Sequence, residues 1–281
     1  VTAFFITWLT NSKLLLFTFD LGPLTPNSNS LLHFLSFACL PIRLTPLNLH
    51  SKSKLQLHFI IFPIKALLCG LSLISLEDQY KQKLHPTIIL GIYCILLYLL
   101  MDVVVGLCNI VVNAAFGIEL QLPSDDPYLS TSLRDFWGRR WNLIVTDTLR
   151  HTVYNPVRSL LMSNTVLGPQ WASVFGVMAT FLASGLMHEL IFYYVTRVNP
   201  TWEVTCYFLL HGVCVVAEFG AVKWVGIKWR LHWAVSGPIT VSFVIVTTAW
   251  LFFPPLMHDG TDERTIKEFN NVVECVMGKF Y

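Results

Sequence analysis

An imidazole and a carboxylate stand side by side in the middle of an apolar run. They are His188 and Glu189, within FLASGLMHELIFYY at residues 181–194. A neutral histidine is tolerated in a bilayer, but an unpaired carboxylate there is expensive, so such groups point to a functional site by default. Polar side chains also hold membrane helices together through hydrogen bonds. Residue type alone leaves two interpretations open, a reactive histidine and a helix-packing histidine.

The spacing around His188 excludes two familiar reactive arrangements. The sequence reads HELIF, with Phe192 where the HExxH motif of zinc proteases needs its second histidine, and the serine-hydrolase motif GxSxG does not occur in the chain. A histidine in a dry site remains suited to taking a proton from a hydroxyl, as a general base does. Glu189 lies about 100° round the helix from His188, so we predict that it is a structural partner, for example of an arginine.

Helical spacing places Phe181, Ser184, Gly185, His188 and Phe192 near one face of the same helix. Ser184 and Gly185 are small, so they either admit a second helix at close range or leave room for a chain-like ligand. The sequence does not distinguish these two uses.

A second stretch, SLRDFWGRRWN, is rich in arginine and aromatic residues and lies about 45 residues before the apolar run that contains His188. Its aromatic side chains and its arginines, Arg134, Arg139 and Arg140, are typical of an amphipathic helix on anionic lipid headgroups, the interpretation favoured by this stretch alone. Arginine also pairs with phosphate through two parallel hydrogen bonds, so the alternative is an entrance for a phosphate-bearing cosubstrate. Arg150 and Arg158 follow in the same polar segment and favour an anionic ligand slightly.

Other ionisable or polar side chains interrupt the remaining apolar stretches: Lys65, Asp102, Asn113, His211 and Glu218. We interpret His211 and Glu218 as packing or hydrogen-bonding residues, whereas the first three are ambiguous. A scatter of buried ionisable groups is also what a proton-coupled transporter shows, so that class of protein stays open.

The composition is that of an integral membrane protein. Of 281 residues, 54% are hydrophobic and 13% are charged, whereas a soluble domain has roughly 25% charged residues. The apolar residues occur in blocks close to the ~20 that a membrane helix needs, without the alternation of a membrane β-barrel. A formal charge of +2 argues against nucleic acid as a partner. Seven cysteines without a CxxC pair favour neither a disulfide framework nor a metal site.

Several apolar segments are candidates for membrane helices. Residues 1–21 are predicted to form a span or a re-entrant helix, and the short segment 31–40 is compatible with an interfacial position. The other predicted spans are 55–76, 87–112, 171–198, 202–222 and 233–253. The excess of arginine places the segment 123–170 in the cytosol. The chain begins with valine and shows no signal-peptide pattern, so we expect preceding residues to be missing.

Together the two polar stretches resemble the paired signatures of the plant wax synthase family. These are long-chain-alcohol O-fatty-acyltransferases within the membrane-bound O-acyltransferase superfamily. DFWGRRWN is followed by VYNPVRS and then by ASGLMHELIFYY, and AFFITWLTNSKLLLFTFDLGPL near the start resembles the early region of the family. The signature region covers residues 123–219. The resemblance implies an all-α, polytopic membrane acyltransferase fold, as a single domain over residues 1–281.

The resemblance also implies a reaction and the residues that perform it. A fatty acyl group would pass from acyl-CoA, as cosubstrate, to a long-chain fatty alcohol in the endoplasmic-reticulum membrane, with no cofactor or metal. By family analogy His188 is the catalytic base and Asn142 the second signature polar residue, with Arg134, Arg139 and Arg140 as candidates for binding acyl-CoA. Two alternatives stay open, the same chemistry on a sterol or diacylglycerol and a non-catalytic lipid-binding or transport protein.

Overall fold

The computed structural model describes residues 2–20, 24, 31–39, 49–76, 78–116, 122–164, 168–225 and 232–257. Within these ranges the chain is helical and contains no β-strand, which confirms the predicted all-α class. The first part contains α1 (Thr2–Thr18), α2 (Leu31–Cys39), α3 (Leu49–Ser75), α4 (Asp78–Lys81) and α5 (Pro86–Phe116). Short segments follow: a 3₁₀ turn (Pro127–Leu129), α6 (Leu133–Asp135), the π turn π1 (Phe136–Arg140), α7 (Leu143–Leu149), π2 (Arg150–Tyr154) and α8 (Asn155–Asn164). The last part contains α9 (Pro169–Thr196), α10 (Glu203–Val225), α11 (Trp233–Thr247), π3 (Thr248–Phe252) and α12 (Pro254–Met257).

Four of the described helices are long and apolar enough to cross a bilayer. They are Pro86–Ala115, Pro169–Thr196, Glu203–Ala221 and Trp233–Phe252. They contain 30, 28, 19 and 20 residues, and about 20 are enough to cross the hydrocarbon core. They confirm four of the predicted spans and the integral membrane class.

Among the described residues, the apolar stretches of the N-terminal helices are shorter than those of the four long helices. α1 has 17 residues, α2 has nine, and the apolar part of α3 is Ile60–Ser75. Lys65 in this part is not left unpaired, because its ammonium lies 2.7 Å from the Asp102 carboxylate and donates to the Tyr98 hydroxyl at 3.1 Å. This ion pair joins α3 to α5 and accounts for two charges that the sequence left ambiguous.

Helices α9 and α10 pack closely against each other and form the centre of the described part of the chain. Gly185 permits their close approach, since a Cβ built there would lie 3.0 Å from Thr205 Cα. Leu182, Leu186 and Leu190 are exposed on the other side of α9, where the bilayer would cover them. The face predicted from helical spacing is confirmed, because its five residues are buried or half-buried.

The polar segment between α5 and α9 packs against α9 and α10 through its short helical turns. The ring of Trp137 lies 5.8 Å from that of Phe181 and 5.8 Å from that of Phe208, between ring centroids. Its aromatic side chain therefore contacts the protein core. For Trp137 this packing excludes the position on lipid headgroups that this stretch alone favoured.

Two carboxylates of the spans cap the N-termini of neighbouring helices. Glu189 Oε1 accepts hydrogen bonds from the backbone N–H of Thr205 at 3.0 Å and from its hydroxyl at 3.2 Å, in the first turn of α10. Glu218 accepts from the backbone N–H of Arg134 in α6 at 3.1 Å. First-turn N–H groups lack acceptors within their own helix and carry partial positive charge. These contacts agree with the predicted structural role of Glu189, although its partner is a helix N-terminus rather than an arginine.

Candidate active site

A cavity of about 720 Å³ lies between α5, the polar segment, α9, α10 and α11. Most of its wall is apolar or aromatic, including Ile95, Leu97, Phe136, Val177, Phe181, Phe208, Val215, Val241, Val244, Ile245 and Phe252. Cavities of this size and character typically hold small-molecule ligands. The wall also brings together three of the five predicted site residues, His188, Asn142 and Arg134.

His188 is half-buried in the cavity wall. Its ring centroid lies 4.6 Å from that of Phe208 and 5.7 Å from that of Phe252. Its Nδ1 is 2.7 Å from the carbonyl oxygen of Ser184, one helical turn earlier. Because a carbonyl oxygen only accepts, Nδ1 carries the ring proton and Nε2 keeps its lone pair. This is the tautomer that a general base requires.

Asn142 occupies a backbone position that suits its residue type. Its φ of 39° and ψ of 63° are left-handed, and its side-chain oxygen accepts from the Val145 N–H at 3.4 Å as the N-cap of α7. Asparagine is one of the few residues that tolerates this conformation, and it is a favoured N-cap. The amide nitrogen is still able to donate. Asn142 can therefore both fix the local backbone and donate to a ligand.

Two arginines line the cavity, Arg134 and Arg150. Both are exposed, so this part of the cavity opens to the surface and carries positive charge. The guanidinium of Arg150 lies 3.9 Å from the Asp147 carboxylate and donates to the Gly138 carbonyl at 3.5 Å. Both distances are long, which leaves Arg150 able to bind an anionic ligand. The sequence marked Arg150 only as a further cation in the polar segment.

The other two predicted arginines lie elsewhere. Arg139 is exposed and does not line the cavity. Arg140 donates to the Asp135 carboxylate at 2.7 Å and to the carbonyl oxygens of Asp125 and Asp126 at 3.1 and 3.3 Å. These bonds hold the start of the polar segment against π1. The assignment of Arg139 and Arg140 to acyl-CoA binding stays a prediction.

His211 is fully buried, and both of its ring nitrogens are hydrogen-bonded. The Trp137 indole N–H donates to Nδ1 at 3.0 Å, so Nε2 carries the proton and donates to the Thr247 hydroxyl at 2.9 Å. That hydroxyl donates in turn to the Phe243 carbonyl at 2.7 Å. Neither ring nitrogen is left for a ligand, which confirms the prediction that His211 is a hydrogen-bonding residue. The same chain of bonds fixes Trp137 in the cavity wall.

Two hydroxyl groups on the wall were not foreseen, those of Tyr207 and Thr248, whose oxygens are 3.1 Å apart. No motif marks them, since both residue types are ordinary in membrane helices. Thr248 begins π3, and hydrophobic periodicity gives no sign of a π turn. All three π turns contribute residues to this wall, and π turns are frequent at functional sites.

The fold and the site define a class, an integral membrane protein whose apolar cavity holds a histidine in the tautomer of a general base. The sequence model of the family described as membrane bound O-acyl transferase matches residues 122–210, which include Asn142 and His188. The chain is 42% identical to the long-chain-alcohol O-fatty-acyltransferase of Simmondsia chinensis, over 99% of this chain and 81% of that protein. The chain belongs to the membrane-bound O-acyl transferase family.

Two relatives from Arabidopsis thaliana are named for different acceptors, a long-chain alcohol and a sterol. Probable long-chain-alcohol O-fatty-acyltransferase 7 is 40% identical over 100% of this chain and 81% of its own length. Acyl-CoA–sterol O-acyltransferase 1 is 39% identical over 96% of this chain and 78% of its own length. Acyl transfer to a hydroxyl group is common to both names.

Proposed function

We propose that this protein transfers a fatty acyl group from acyl-CoA to a long-chain fatty alcohol, forming a wax ester in the endoplasmic-reticulum membrane. The observation that carries the proposal is His188, whose Nε2 lone pair is available at an apolar cavity in a member of an acyltransferase family. The identity with the Simmondsia chinensis relative supports a fatty alcohol as acceptor. The membrane-spanning helices support a reaction between two lipid-soluble chains.

The reaction needs one base and one or more hydrogen-bond donors. His188 Nε2 removes the hydroxyl proton while the alcohol oxygen attacks the carbonyl carbon of the thioester. The carbon–sulfur bond then breaks, and the departing CoA thiolate takes the proton from the imidazolium. Acyl-CoA and alcohol thus become ester and CoA thiol. Acyl transfer is direct, so the reaction requires no covalent acyl-enzyme.

Asn142 and the two cavity arginines have separate roles in this proposal. The Asn142 amide donates to the carbonyl oxygen as negative charge develops there, an interaction for which one donor contributes roughly 10²- to 10³-fold in kcat. Its left-handed N-cap geometry holds the amide in place before substrate binds. Arg134 and Arg150 bind the phosphates of CoA where the cavity opens to the surface.

The apolar wall receives the hydrocarbon chains of both substrates. Removing each methylene group from water contributes about 0.8 kcal/mol, so a long chain is held mainly by burial. This term is insensitive to the identity of the headgroup, which is why the wall alone does not distinguish one lipid alcohol from another.

A sterol is the second candidate acceptor. The relative named acyl-CoA–sterol O-acyltransferase 1 is 39% identical to this chain, close to the 42% of the fatty-alcohol relative. The chemistry at His188 is the same for either hydroxyl. An assay that compares acceptors is therefore the direct test.

For that test, the protein is produced in a host that makes no wax esters, and its membranes receive labelled palmitoyl-CoA with hexadecanol, a sterol or a diacylglycerol. We expect labelled ester with the highest kcat/KM for hexadecanol. His188→Ala should lower kcat by about 10³-fold, because general-base catalysis contributes roughly 10²- to 10⁴-fold. His151→Ala is the matched control, since His151 is exposed and does not line the cavity.

Ester formation that persists unchanged in His188→Ala would show that the general-base assignment is wrong. Ester formed only with the sterol would show that the acceptor is a sterol rather than a fatty alcohol. If folded protein is present and no acceptor gives ester, the non-catalytic lipid-binding alternative is favoured.

A further inference from the structure

Two hydroxyl groups lie side by side on the cavity wall, each on a different helical segment. The phenol oxygen of Tyr207 in α10 is 3.1 Å from Oγ1 of Thr248, the first residue of π3. Only 4% of Tyr207 and 6% of Thr248 is exposed. Both residues line the cavity that holds His188, so the pair is buried and borders the space available to a substrate.

Thr248 differs from six other threonines in the partner of its hydroxyl. The six donate to the carbonyl oxygen four residues earlier: Thr148, Thr152, Thr180, Thr196, Thr240 and Thr247. This bond is the usual one for a threonine inside a helix. The Thr248 hydroxyl is instead paired with Tyr207 at the start of a π turn. The Thr248 hydroxyl is therefore hydrogen-bonded to a side chain rather than to a carbonyl oxygen of its own helix.

The pair holds one more O–H proton than its mutual bond uses. Whichever hydroxyl donates to the other, the second proton has no acceptor within hydrogen-bond distance among the described residues. An unpaired donor in apolar surroundings is unfavourable. The site therefore favours a ligand with an acceptor oxygen.

Two aromatic rings connect this pair to His188. The centroid of Phe208 is 4.6 Å from that of His188 and 5.1 Å from that of Tyr207. The centroid of Phe252 is 5.7 Å from that of His188 and 5.4 Å from that of Tyr207. The base and the hydroxyl pair are therefore held by the same two rings.

We infer that the Tyr207–Thr248 pair donates a hydrogen bond to the carbonyl oxygen of the acyl substrate. The inference rests on the acyl transfer proposed above. The attacking alcohol gives its proton to His188 and uses a lone pair to form the new bond, so a donor on that oxygen would weaken the nucleophile. The thioester carbonyl oxygen only accepts and gains negative charge, so a donor there stabilises the transition state. The pair is a second donor beside Asn142.

Two non-reacting ligands distinguish this role from a structural one. One is an acyl-CoA analogue in which a methylene replaces the thioester sulfur, so the carbonyl oxygen is kept. The other is the S-alkyl-CoA of equal chain length, which lacks that oxygen. We expect the detergent-solubilised protein to bind the first about fivefold more tightly, in line with one hydrogen bond.

The double variant Tyr207→Phe/Thr248→Val should show a clearly smaller preference, because Asn142 is then the remaining donor to the carbonyl oxygen. At least one of the two single variants should keep the preference, because the remaining hydroxyl then has its proton free. Tyr193→Phe and Thr240→Val are matched controls that lie outside the cavity wall and should keep the fivefold preference. In the ester assay the double variant should lose about 10²-fold in kcat, and its KM for acyl-CoA should rise by up to about fivefold because the same hydrogen bond is made before reaction.

An unchanged preference in the double variant overturns the inference. If that variant does not fold, Tyr207→Phe/Thr248→Cys replaces it, because a thiol is similar in size and a weak donor. A preference that is undiminished in this variant overturns the inference equally. Binding requires no turnover, so wild-type protein that shows the preference and makes no ester would contradict the proposed function and support the inference.

Discussion

Arg150 and Arg139 are a matched pair of exposed arginines, of which only Arg150 lines the cavity. Arg150→Ala should raise the KM for acyl-CoA about fivefold, because a phosphate contact at an exposed position contributes about 1 kcal/mol. The KM for the alcohol should not change. Arg139→Ala tests the prediction made for that residue from the sequence: a similar rise in the KM for acyl-CoA would assign Arg139 to acyl-CoA binding as well, and an unaltered KM would exclude it. Initial rates with one substrate varied at a time measure both constants. An equal rise in the two KM values for Arg150→Ala would instead indicate a folding defect.

Glu189 provides a test of a carboxylate with a structural role. Its Oε1 caps α10 through Thr205, so Glu189→Ala should lower the free energy of unfolding by about 1 to 3 kcal/mol. Glu189→Gln keeps an acceptor oxygen and should lose clearly less stability, with kcat close to that of the wild type. Thermal denaturation in detergent and the ester assay measure the two quantities. A stable glutamine variant without activity would assign the carboxylate to catalysis.

Some of these residues could be predicted from sequence and others could not. His188 was predictable because a histidine inside an apolar run stands out by type. The partners of Arg140 were not, because an arginine that binds phosphate and one that binds Asp135 have the same appearance in a sequence. Tyr207 and Thr248 were missed because only the folded chain brings α10 and π3 together.

The contact between α9 and α10 depends on a helix position without a side chain. Gly185→Ala would place a Cβ 3.0 Å from the backbone of Thr205, and overpacking of this kind costs about 1 to 3 kcal/mol. Gly91→Ala is the matched control, because a Cβ at Gly91 in α5 would meet no atom within 4 Å. The control should be neutral or stabilising by up to about 1 kcal/mol, since alanine is the better helix former.

Unfolding midpoints of the two glycine variants in the same detergent give this comparison. Equal midpoints for Gly185→Ala and Gly91→Ala would show that α9 and α10 separate easily.

At the level of elements, hydrophobic length predicted the four long spans, because the bilayer sets how many apolar residues a crossing needs. The polar segment was harder to predict. Its helices and π turns have three to ten residues, too few for a clear helical periodicity. Trp137 was compatible in sequence with a lipid surface, and only its packing against Phe181 and Phe208 excludes that position.

We predict that the cavity as a whole limits the length of the hydrocarbon chains that the protein accepts. Val241 lines it from α11, whereas Val246 on the same helix is exposed outside it. Val241→Phe should reduce kcat/KM most for the longest substrates, by about fourfold for each methylene excluded, because a methylene contributes about 0.8 kcal/mol. Val246→Phe should leave the product distribution unchanged. Product chain lengths from a mixture of acyl-CoAs measure the effect, and a uniform loss at all lengths would contradict it.

Composition alone predicted an integral membrane protein, because too few charged residues are present to cover a soluble domain of this size. The shape of the cavity was beyond such reasoning. Its wall draws on α5, the polar segment, α9, α10 and α11, so it depends on how distant segments pack rather than on any local pattern.

Because His188 Nδ1 is hydrogen-bonded to the Ser184 carbonyl, only the Nε2 atom of this imidazole is free to react with an electrophile. An electrophile that reaches the cavity meets a lone pair on Nε2 and none on Nδ1. A long-chain alkyl epoxide or chloromethyl ketone would therefore modify one nitrogen of this ring, and bound acyl-CoA or alcohol would protect it. The hydrogen bond that sets the tautomer of His188 therefore also makes Nε2 the site at which an irreversible inhibitor, or a label that counts active sites, would attach.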